Sequence, residues 1–254
     1  MDGRPEVSIV MPAFNSEKYI RDAIDSVRNQ TFSEWELIVV DDCSTDLTYE
    51  IICKIAREDP RIKIFRNETN RGAAASRNAG FLQCSGKYVA LLDSDDLWEP
   101  EKLKKQLACA ETSGADIVYC SYAIIDEQGK KKAPDFIVPE HTDFHSMLTR
   151  STISCSTAFL KRELTECSRF PTDVYHEDLA YWLDLLKNGA TAAGIPEVLA
   201  SYRVIPGSRA YNKIQSAVYR WKIFKDYLDF SVLRSTALLL QYMFFGLIKY
   251  RREA

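Results

Sequence analysis

Three carboxylates lie within four consecutive residues at Asp93-Ser94-Asp95-Asp96, directly after the apolar run from Tyr88 to Leu92. Their negative charges are so close together that a positive group must offset them. A divalent cation does so naturally, because Mg²⁺ and Mn²⁺ take oxygen ligands and bridge carboxylates to substrate phosphates. The alternative is that these residues cap a turn and the start of the next helix, where aspartate is favoured. The motif therefore predicts a metal site and leaves a capping role open.

Two further groups of polar residues in the first half of the chain suit a nucleotide. Asp42, after a second apolar run, can accept hydrogen bonds from the imide or amide of a base. For Asp41, a role in capping the turn is as plausible as a role in the site. The other group is the loop Asn70-Arg71-Gly72, followed by Arg77 and Gly80. A small residue there lets the backbone approach a ligand closely, and arginine pairs well with diphosphate. Alone, this loop is a weak signal.

The second half of the chain offers a base and a closing loop. His176-Glu177-Asp178 stands at a predicted helix start and provides a carboxylate that can take a proton from a hydroxyl. A helix cap followed by first-turn acids explains the same residues. Tyr202-Arg203 and Pro206-Gly207-Ser208-Arg209 follow the last predicted strand, and their cationic and hydroxyl groups suit a loop that closes over phosphates. An ordinary turn is the alternative.

The elements that must position these groups alternate between strands and helices. Strands are predicted from apolar, β-branched runs at residues 7–10, 37–40, 62–65 and 88–92. Helices are predicted between them, with Thr45 as the cap of the second, and a fourth helix between Pro100 and Gly114. This alternation predicts an α/β fold with a mostly parallel sheet, whose ligands bind beyond the carboxyl ends of the strands. We therefore expect the polar groups to meet in one cleft.

The remainder of the chain has a less regular pattern. A hairpin is expected around Gly129, strands at 156–160 and 198–202, and a helix at 177–187. From residue 210 the chain reads as two helices. We therefore divide it into a main domain at 1–209 and a C-terminal helical extension at 210–254.

Composition restricts the class of protein. The chain has 254 residues, 46% hydrophobic and 27% charged, which fits a globular α/β domain. A net charge of −3 argues against charge-driven binding of nucleic acid. The seven cysteines are scattered and contain no C-x-x-C pair, and the N-terminal residues have no secretory pattern. Together they favour a reducing cytoplasmic location.

The ordered set of motifs is more specific than its members. It comprises 7–15 (VSIVMPAFN), 39–46 (VVDDCSTD), Asn70-x-Gly72 with Arg77-Asn78-x-Gly80, Asp93-x-Asp95-Asp96, and Glu177-Asp178. In this order the motifs resemble the inverting family-2 glycosyltransferases, over roughly residues 6–205. The resemblance implies the GT-A fold, a Rossmann-like α/β sheet flanked by helices.

The resemblance also implies roles for individual residues around a nucleoside-diphosphate sugar. The nucleotide contacts would be Pro12, Phe14, Asp42 on the base, Asn70, Arg77 and Asp93 near the ribose; Asp95 would bind Mn²⁺ or Mg²⁺, and Asp178 would be the catalytic base. Glu177, His176, Arg203 and Ser208 remain candidates for the acceptor side or for loop closure. Asp96 is expected at a helix start. Two residues depart from the family pattern, Phe14 for Tyr and Cys43 for Gly, and neither removes a proposed ligand.

The expected reaction is a single in-line displacement that inverts the anomeric carbon. The motifs are similar to those of bacterial transferases that build O-antigen or capsule repeats on polyprenyl-diphosphate sugars. This likeness implies a UDP-hexose donor such as UDP-galactose and a lipid-linked saccharide acceptor. Two other classes remain open. A nucleotide-sugar binding or scaffold protein would lack turnover, and a nucleotidyltransferase would normally have a Gly-rich basic loop after the first strand, where this chain has Pro12 to Asn15.

The C-terminal helix combines an apolar run, Leu238 to Ile248, with Lys249, Arg251 and Arg252. The run is too short to span a bilayer, which needs about 20 apolar residues. Its pattern is typical of a helix that lies at lipid headgroups, here on the cytoplasmic face of the inner membrane. Packing on the protein core or in a homodimer is the alternative.

Overall fold

The computed structural model describes residues 4–205 and 213–251. The strands are β1 Val7–Ala13, β2 Trp35–Asp41, β3 Ile62–Arg66, β4 Tyr88–Leu91, β5 Leu97–Trp98, β6 Ile117–Ile125, β7 Lys131–Phe136, β8 His141–Thr142, β9 Phe159–Lys161 and β10 Ala192–Arg203. The helices are α1 Ile20–Arg28, α2 Thr48–Glu58, α3 Gly72–Phe81, α4 Lys102–Ser113, α5 Phe144–Arg150, α6 Arg162–Cys167, α7 Glu177–Lys187, α8 Lys213–Lys222 and α9 Val232–Arg251. A 3₁₀ turn, Cys155–Thr157, precedes β9, and a π-helical turn, Ile223–Tyr227, follows α8.

One sheet forms the centre of the structure, in the order β3-β2-β1-β4-β9-β6-β10-β5, with β7 beside β6 and β8 beside β10. The four N-terminal strands β1 to β4 are parallel, as predicted. The strand predicted at 156–160 is the shorter β9, and it runs antiparallel between β4 and β6. The sheet is therefore mixed, with its first half built from β-α-β units.

Both faces of the sheet are buried at the central strands β1, β2 and β4. Along β1, Ile9 and Met11 pack in one cluster with α1 and α2, whereas Val10 packs in the other with α3 and α7. A strand covered on both sides can place an apolar residue at every position, which explains the continuous apolar runs in the sequence. Gly80 of α3 serves this packing rather than a ligand, because a Cβ there would lie 2.4 Å from Val10 Cγ1.

Several predicted boundaries need correction. The cap of α2 is not Thr45, because Asp46 Oδ1 accepts from the backbone N–H of Thr48 at 3.0 Å. The last strand is longer than predicted, since β10 begins at Ala192. Other features are as expected: Gly114 ends α4 in the left-handed conformation at φ 69°, and the hairpin of β6 and β7 turns at Gly129. The proposed boundary between domains, at 209/210, lies outside the described residues.

The C-terminal helices pack against each other and against α5. Helix α9 contacts α5 and α8. Arg220 of α8 is buried, donates to the carbonyl of Leu148, and lies 3.7 Å from the ring centroid of Tyr242 in α9. No helix in the described segments is both long and apolar enough to span a bilayer.

Candidate active site

A cleft of ≈ 460 Å³ opens at the carboxyl edge of the sheet, a size that suits a small-molecule ligand. It collects residues from both halves of the chain: Pro12, Ala13, Phe14, Ser16, Asp42, Ala73, Ser76, Arg77, Asp93, Ser94, Asp95, Ser154, Cys155, Tyr175, His176, Glu177, Asp178 and Tyr202. The strand-end groups of the sequence therefore do converge, and the predicted base lies in the same cleft.

The acidic cluster is fixed by a serine that the sequence did not indicate. Ser156 Oγ accepts from the backbone N–H of Asp93 at 3.1 Å and donates to Asp96 Oδ2 at 2.5 Å. The other oxygen of Asp96 accepts from the backbone N–H of Arg203 at 2.8 Å. Asp96 is thus not at a helix start, as had been expected, because α4 begins only at Lys102. It is buried and joins the turn after β4 to β10.

The cluster carries more negative charge than its surroundings neutralise. Burial raises the pKa of Asp95 to about 6, and the nearby charge of Asp93 adds to the rise. Burial, together with Asp95 and Asp93, raises the pKa of Asp96 well above its ordinary value. Neither Asp95 nor Asp96 forms an ion pair within the described residues. Asp93 and Asp95 are half-buried and line the cleft. Carboxylate oxygens are the donors that a hard divalent cation prefers, so both residues fit such an ion.

The chain by itself does not form a complete metal cage here. In the part of the chain that the structure describes, no group of three or more His, Cys, Asp or Glu side chains is arranged to hold a metal ion. Magnesium-type sites commonly combine one or two carboxylates with substrate phosphates and water, so two aspartates are a sufficient protein contribution.

Arg77 connects the two sides of the cleft. From α3 it donates to Asp93 Oδ1 at 2.6 Å and to Glu177 Oε1 at 3.2 Å, and its side chain is nearly buried. Burial opposes the charged form of Arg77, but Asp93 and Glu177 outweigh it and raise the pKa above the usual value. Arg77 was predicted to contact the nucleotide; the structure adds that it ties the acidic cluster to the start of α7.

The nucleotide candidates are placed unequally. Phe14 is 46% exposed and forms the cleft wall with Pro12. Asp42 lines the cleft while its carboxylate accepts from the backbone N–H of Arg71 at 2.9 Å and of Gly72 at 2.7 Å, at the start of α3. Asn70 is exposed and is not among the cleft-lining residues, so the structure does not bring it to the site.

Asn67, which sequence reasoning missed, takes a supporting place near Asp42. Its side chain donates to Asp42 Oδ1 at 2.7 Å and to Ser76 Oγ at 3.1 Å. Asp41, for which a turn cap was one of two readings, accepts from the backbone N–H of Ser44 at 3.2 Å and pairs with Arg66 at 3.0 Å. It therefore caps the turn rather than facing the cleft.

The predicted base stands in the first turn of α7. Asp178 Oδ1 accepts from the backbone N–H of Leu179 at 2.7 Å, and the residue lines the cleft. His176 precedes the helix, and its Nε2 lies 3.1 Å from Ser216 Oγ in α8. These residues therefore lie at the start of a helix and also line the cleft. The first observation does not exclude a functional role.

Arg203 does not sit on a closing loop, as had been expected. It is 5% exposed, donates from Nε to the carbonyl of Asp95 at 2.7 Å, and donates from Nη1 to the carbonyls of Asp126 and Glu127 at 3.1 Å each. These bonds make it part of the frame around the acidic cluster. Ser208, the other loop-closure candidate, lies outside the described residues.

The fold and the site define a class: an α/β protein with one cleft at the carboxyl edge of its sheet, lined by an acidic pair and by a further carboxylate, Asp178. The sequence profile described as Glycosyl transferase family 2 matches residues 8–168, more than half of the chain. The chain therefore belongs to glycosyl transferase family 2, which confirms the family predicted from the motifs.

Relatives extend the match to almost the whole chain. The putative teichuronic acid biosynthesis glycosyltransferase TuaG of Bacillus subtilis (strain 168) is 36% identical over 239 residues, covering 94% of this chain and 95% of that protein. UDP-Glc:alpha-D-GlcNAc-diphosphoundecaprenol beta-1,3-glucosyltransferase WfgD of Escherichia coli is 34% identical over 248 residues, covering 96% and 94%.

A solved structure agrees on the fold. The mannosyltransferase PcManGT from Pyrobaculum calidifontis, in complex with GDP-Man and Mn²⁺, superposes with a TM-score of 0.72 at 22% identity, covering 93% of this chain and 70% of that chain. The GT-A fold expected from the sequence is thereby confirmed.

The raised pKa of Asp95 predicts a pH-dependent stability of the metal-free protein. Between its ordinary value of 3.8 and about 6, the folded state binds more protons than the unfolded state, so stability falls as pH rises through this range. In the presence of a chelator at neutral pH, Asp95→Asn should raise the free energy of unfolding above that of the wild type by about 1–3 kcal/mol. The melting temperature should rise with it. The gain should shrink toward the acid end of the range.

The measurement is thermal unfolding across that pH range, with Glu58→Gln, an exposed carboxylate on α2, as the control. An Asp95→Asn variant no more stable than the wild type at neutral pH would contradict the charge imbalance.

Proposed function

We propose that the chain transfers a hexose, with inversion, from a UDP-hexose to a saccharide hydroxyl of a polyprenyl-diphosphate-linked acceptor in surface polysaccharide synthesis. The observation that carries the proposal is that a single cleft is lined by the acidic pair Asp93 and Asp95 and by Asp178, with Arg77 joined to both sides. A donor and an acceptor bound there would lie between the two sets of carboxylates.

The donor end is the part of the cleft built by the first four strands. Phe14 and Pro12 offer an apolar wall to a base, and Asp42 offers acceptor oxygens beside them. Asp93 and Asp95 would hold Mn²⁺ or Mg²⁺, and when bound the ion offsets the negative charge of the diphosphate. The Mn²⁺ in the PcManGT complex supports a divalent metal.

Asp178 is the candidate for the general base. Its Oδ1 is engaged by the N–H of Leu179, so Oδ2 is the atom that would take the proton of the acceptor hydroxyl. The hydroxyl oxygen then bonds to the anomeric carbon as the bond from that carbon to the diphosphate oxygen breaks. Nucleoside diphosphate leaves, and one displacement inverts the configuration.

The chemical class of the substrates rests on the relatives. WfgD is named for UDP-Glc and for an α-D-GlcNAc-diphosphoundecaprenol acceptor, and TuaG for teichuronic acid biosynthesis. These names favour a UDP-hexose donor and a lipid-linked amino sugar as the acceptor. They add UDP-glucose as a candidate donor to the UDP-galactose suggested by the sequence.

Separate variants of the base and of the metal ligand should affect different steps. Asp178→Asn should lower turnover by about 10²–10⁴-fold and leave UDP binding intact, since it removes only the proton acceptor. Asp95→Asn should weaken metal-dependent UDP binding as well as turnover. The assay uses UDP-glucose or UDP-galactose with Mn²⁺ and an α-GlcNAc-diphosphate coupled to a long-chain alcohol; UDP binding is measured by calorimetry.

The released product separates the competing classes. Sugar transfer yields UDP and an extended glycolipid in equal amounts, whereas nucleotidyl transfer would yield pyrophosphate. Binding of UDP-hexose without any turnover would favour the scaffold alternative, and near-normal turnover by Asp178→Asn would exclude it as the base. Glu163→Gln, an acid on the distant helix α6, is the control for surface charge.

We also propose that α9 places the protein on an anionic membrane surface, where a lipid-linked acceptor is found. Among the described side chains of this helix, several large apolar ones are strongly exposed, including Leu233, Leu240, Met243 and Phe244. Residues 213–251 carry seven basic and two acidic side chains, a net charge of +5 in a chain of net −3. Arg150 and Arg234 lie over the rings of Phe245 and Phe230. Apolar, aromatic and basic groups in this combination suit the headgroup region.

Flotation with lipid vesicles tests the membrane proposal. The protein should float with vesicles of phosphatidylglycerol and phosphatidylethanolamine, less with phosphatidylcholine alone, and less as salt rises. The triple change Leu240→Ser, Met243→Ser, Phe244→Ser should abolish flotation. Its matched control, Leu47→Ser, Leu82→Ser, Ile137→Ser, removes exposed apolar side chains elsewhere and should float normally. Equal flotation of both triples would overturn the proposal, as would a stable dimer in solution that buries α9.

A further inference from the structure

The wall of the cleft beside Asp178 contains residues to which we have assigned no role in binding the nucleotide or the metal. Tyr175 lines the cleft three residues before Asp178, and its ring stacks on Tyr219 of α8 with centroids 3.9 Å apart and planes 10° apart. His176 adds a second tie to α8 through Ser216. Helix α8 thus supports the cleft wall at the point where an acceptor must approach Asp178.

This wall lies outside the part of the chain that the family profile matches. The profile ends at residue 168, so it includes the acidic pair and Arg77 but not Tyr175, Asp178 or Tyr219. The donor end is therefore built from the shared segment. The other end of the cleft is formed with residues beyond it, which is where a site for a varied acceptor is expected.

We propose that Tyr175 is the platform on which the acceptor sugar ring packs, and that Tyr219 of α8 is a positioning residue that holds this platform. The inference rests on the proposed function. A pyranose has a face of C–H groups that packs on an aromatic ring, while its hydroxyls point outward to polar partners such as a carboxylate. With the other face of Tyr175 braced by Tyr219, the sugar ring would present its hydroxyl to Asp178.

The geometry favours an ordered platform over a mobile side chain. Parallel stacking fixes the plane of Tyr175, and the ring of His176 meets Tyr175 edge-on at 5.2 Å with planes at 83°. Because the ring of Tyr175 is already held in place, less conformational entropy is lost when the acceptor binds. The C-terminal extension then has a direct part in acceptor recognition, separate from any contact with lipid.

The test compares Tyr219→Ala with Tyr219→Phe, because Tyr219 does not line the cleft and phenylalanine keeps the stack. With an α-GlcNAc-diphosphate of a long-chain alcohol as the acceptor, Tyr219→Ala should raise the acceptor KM by roughly threefold to tenfold, the range expected for loss of one aromatic pair. The KM of the UDP-hexose and UDP binding should stay within twofold, and Tyr219→Phe should behave like the wild type. Tyr49→Ala, which removes a half-buried ring stacked on Arg66 away from the cleft, is the matched control.

A binding measurement separates this inference from the proposed function. Saturation-transfer NMR on the same acceptor should show sugar C–H contacts in the wild type and in Tyr219→Phe, and weaker contacts in Tyr219→Ala and Tyr175→Ala at unchanged melting temperature. Acceptor binding that depends on Tyr175, without turnover, would support the platform while refuting the transferase. An unchanged acceptor KM in Tyr219→Ala, an equal rise in both KM values, or no acceptor contact in the wild type would overturn the platform.

Discussion

The buried charge of Arg77 is the constraint on which the rest of the site depends. Its guanidinium lies between Asp93, which follows β4, and Glu177, which begins α7, so α7 meets the α3–β4 region, 100 residues earlier in the chain, at one cation. A buried charge is stable only when it is paired and hydrogen-bonded, and removing one partner of such a pair commonly costs about 3–5 kcal/mol. The packing that brings α3 and α7 to the sheet edge must therefore satisfy Arg77, and in doing so it sets Asp178 opposite the acidic cluster.

The same arrangement leaves the acidic cluster short of positive charge. Arg77 is shared between Asp93 and Glu177, and the side chain of Arg203 is committed to backbone carbonyls. Burial raises the pKa values of Asp95 and Asp96, and the charge of the neighbouring aspartates adds to the rise. Under the proposed function, a cation bound together with a diphosphate would offset this charge and stabilise the folded state. Ser156 and the backbone N–H of Arg203 hold the cluster in place.

The parts that sequence could predict are those set by local pattern. Apolar runs covered on both faces identified β1 to β4, and since parallel strands end at one edge, the convergence of Asp42, Asp93 and Asp95 followed from the pattern alone. The errors concern contacts between distant residues. Asp96 was assigned to a helix start because its partners, Ser156 and Arg203, are 60 and 107 residues away. Sequence reasoning also missed Asn67, whose side chain donates to Asp42 Oδ1 from 25 residues away.

The cleft thus has one half formed by the first strands, which we propose binds the donor, and one half formed with α7 and α8, which we propose binds the acceptor. Arg77 joins the two halves. The measurement that tests this account most directly is a double-mutant cycle on the free energy of unfolding with Arg77→Met, Glu177→Gln and the double variant. We predict a coupling energy of about 1–3 kcal/mol, because either single change already removes the ion pair between Arg77 and Glu177, so the double change cannot lose it a second time. Effects that add to within about 0.5 kcal/mol would show that the two halves are not held together through Arg77 and would contradict the account.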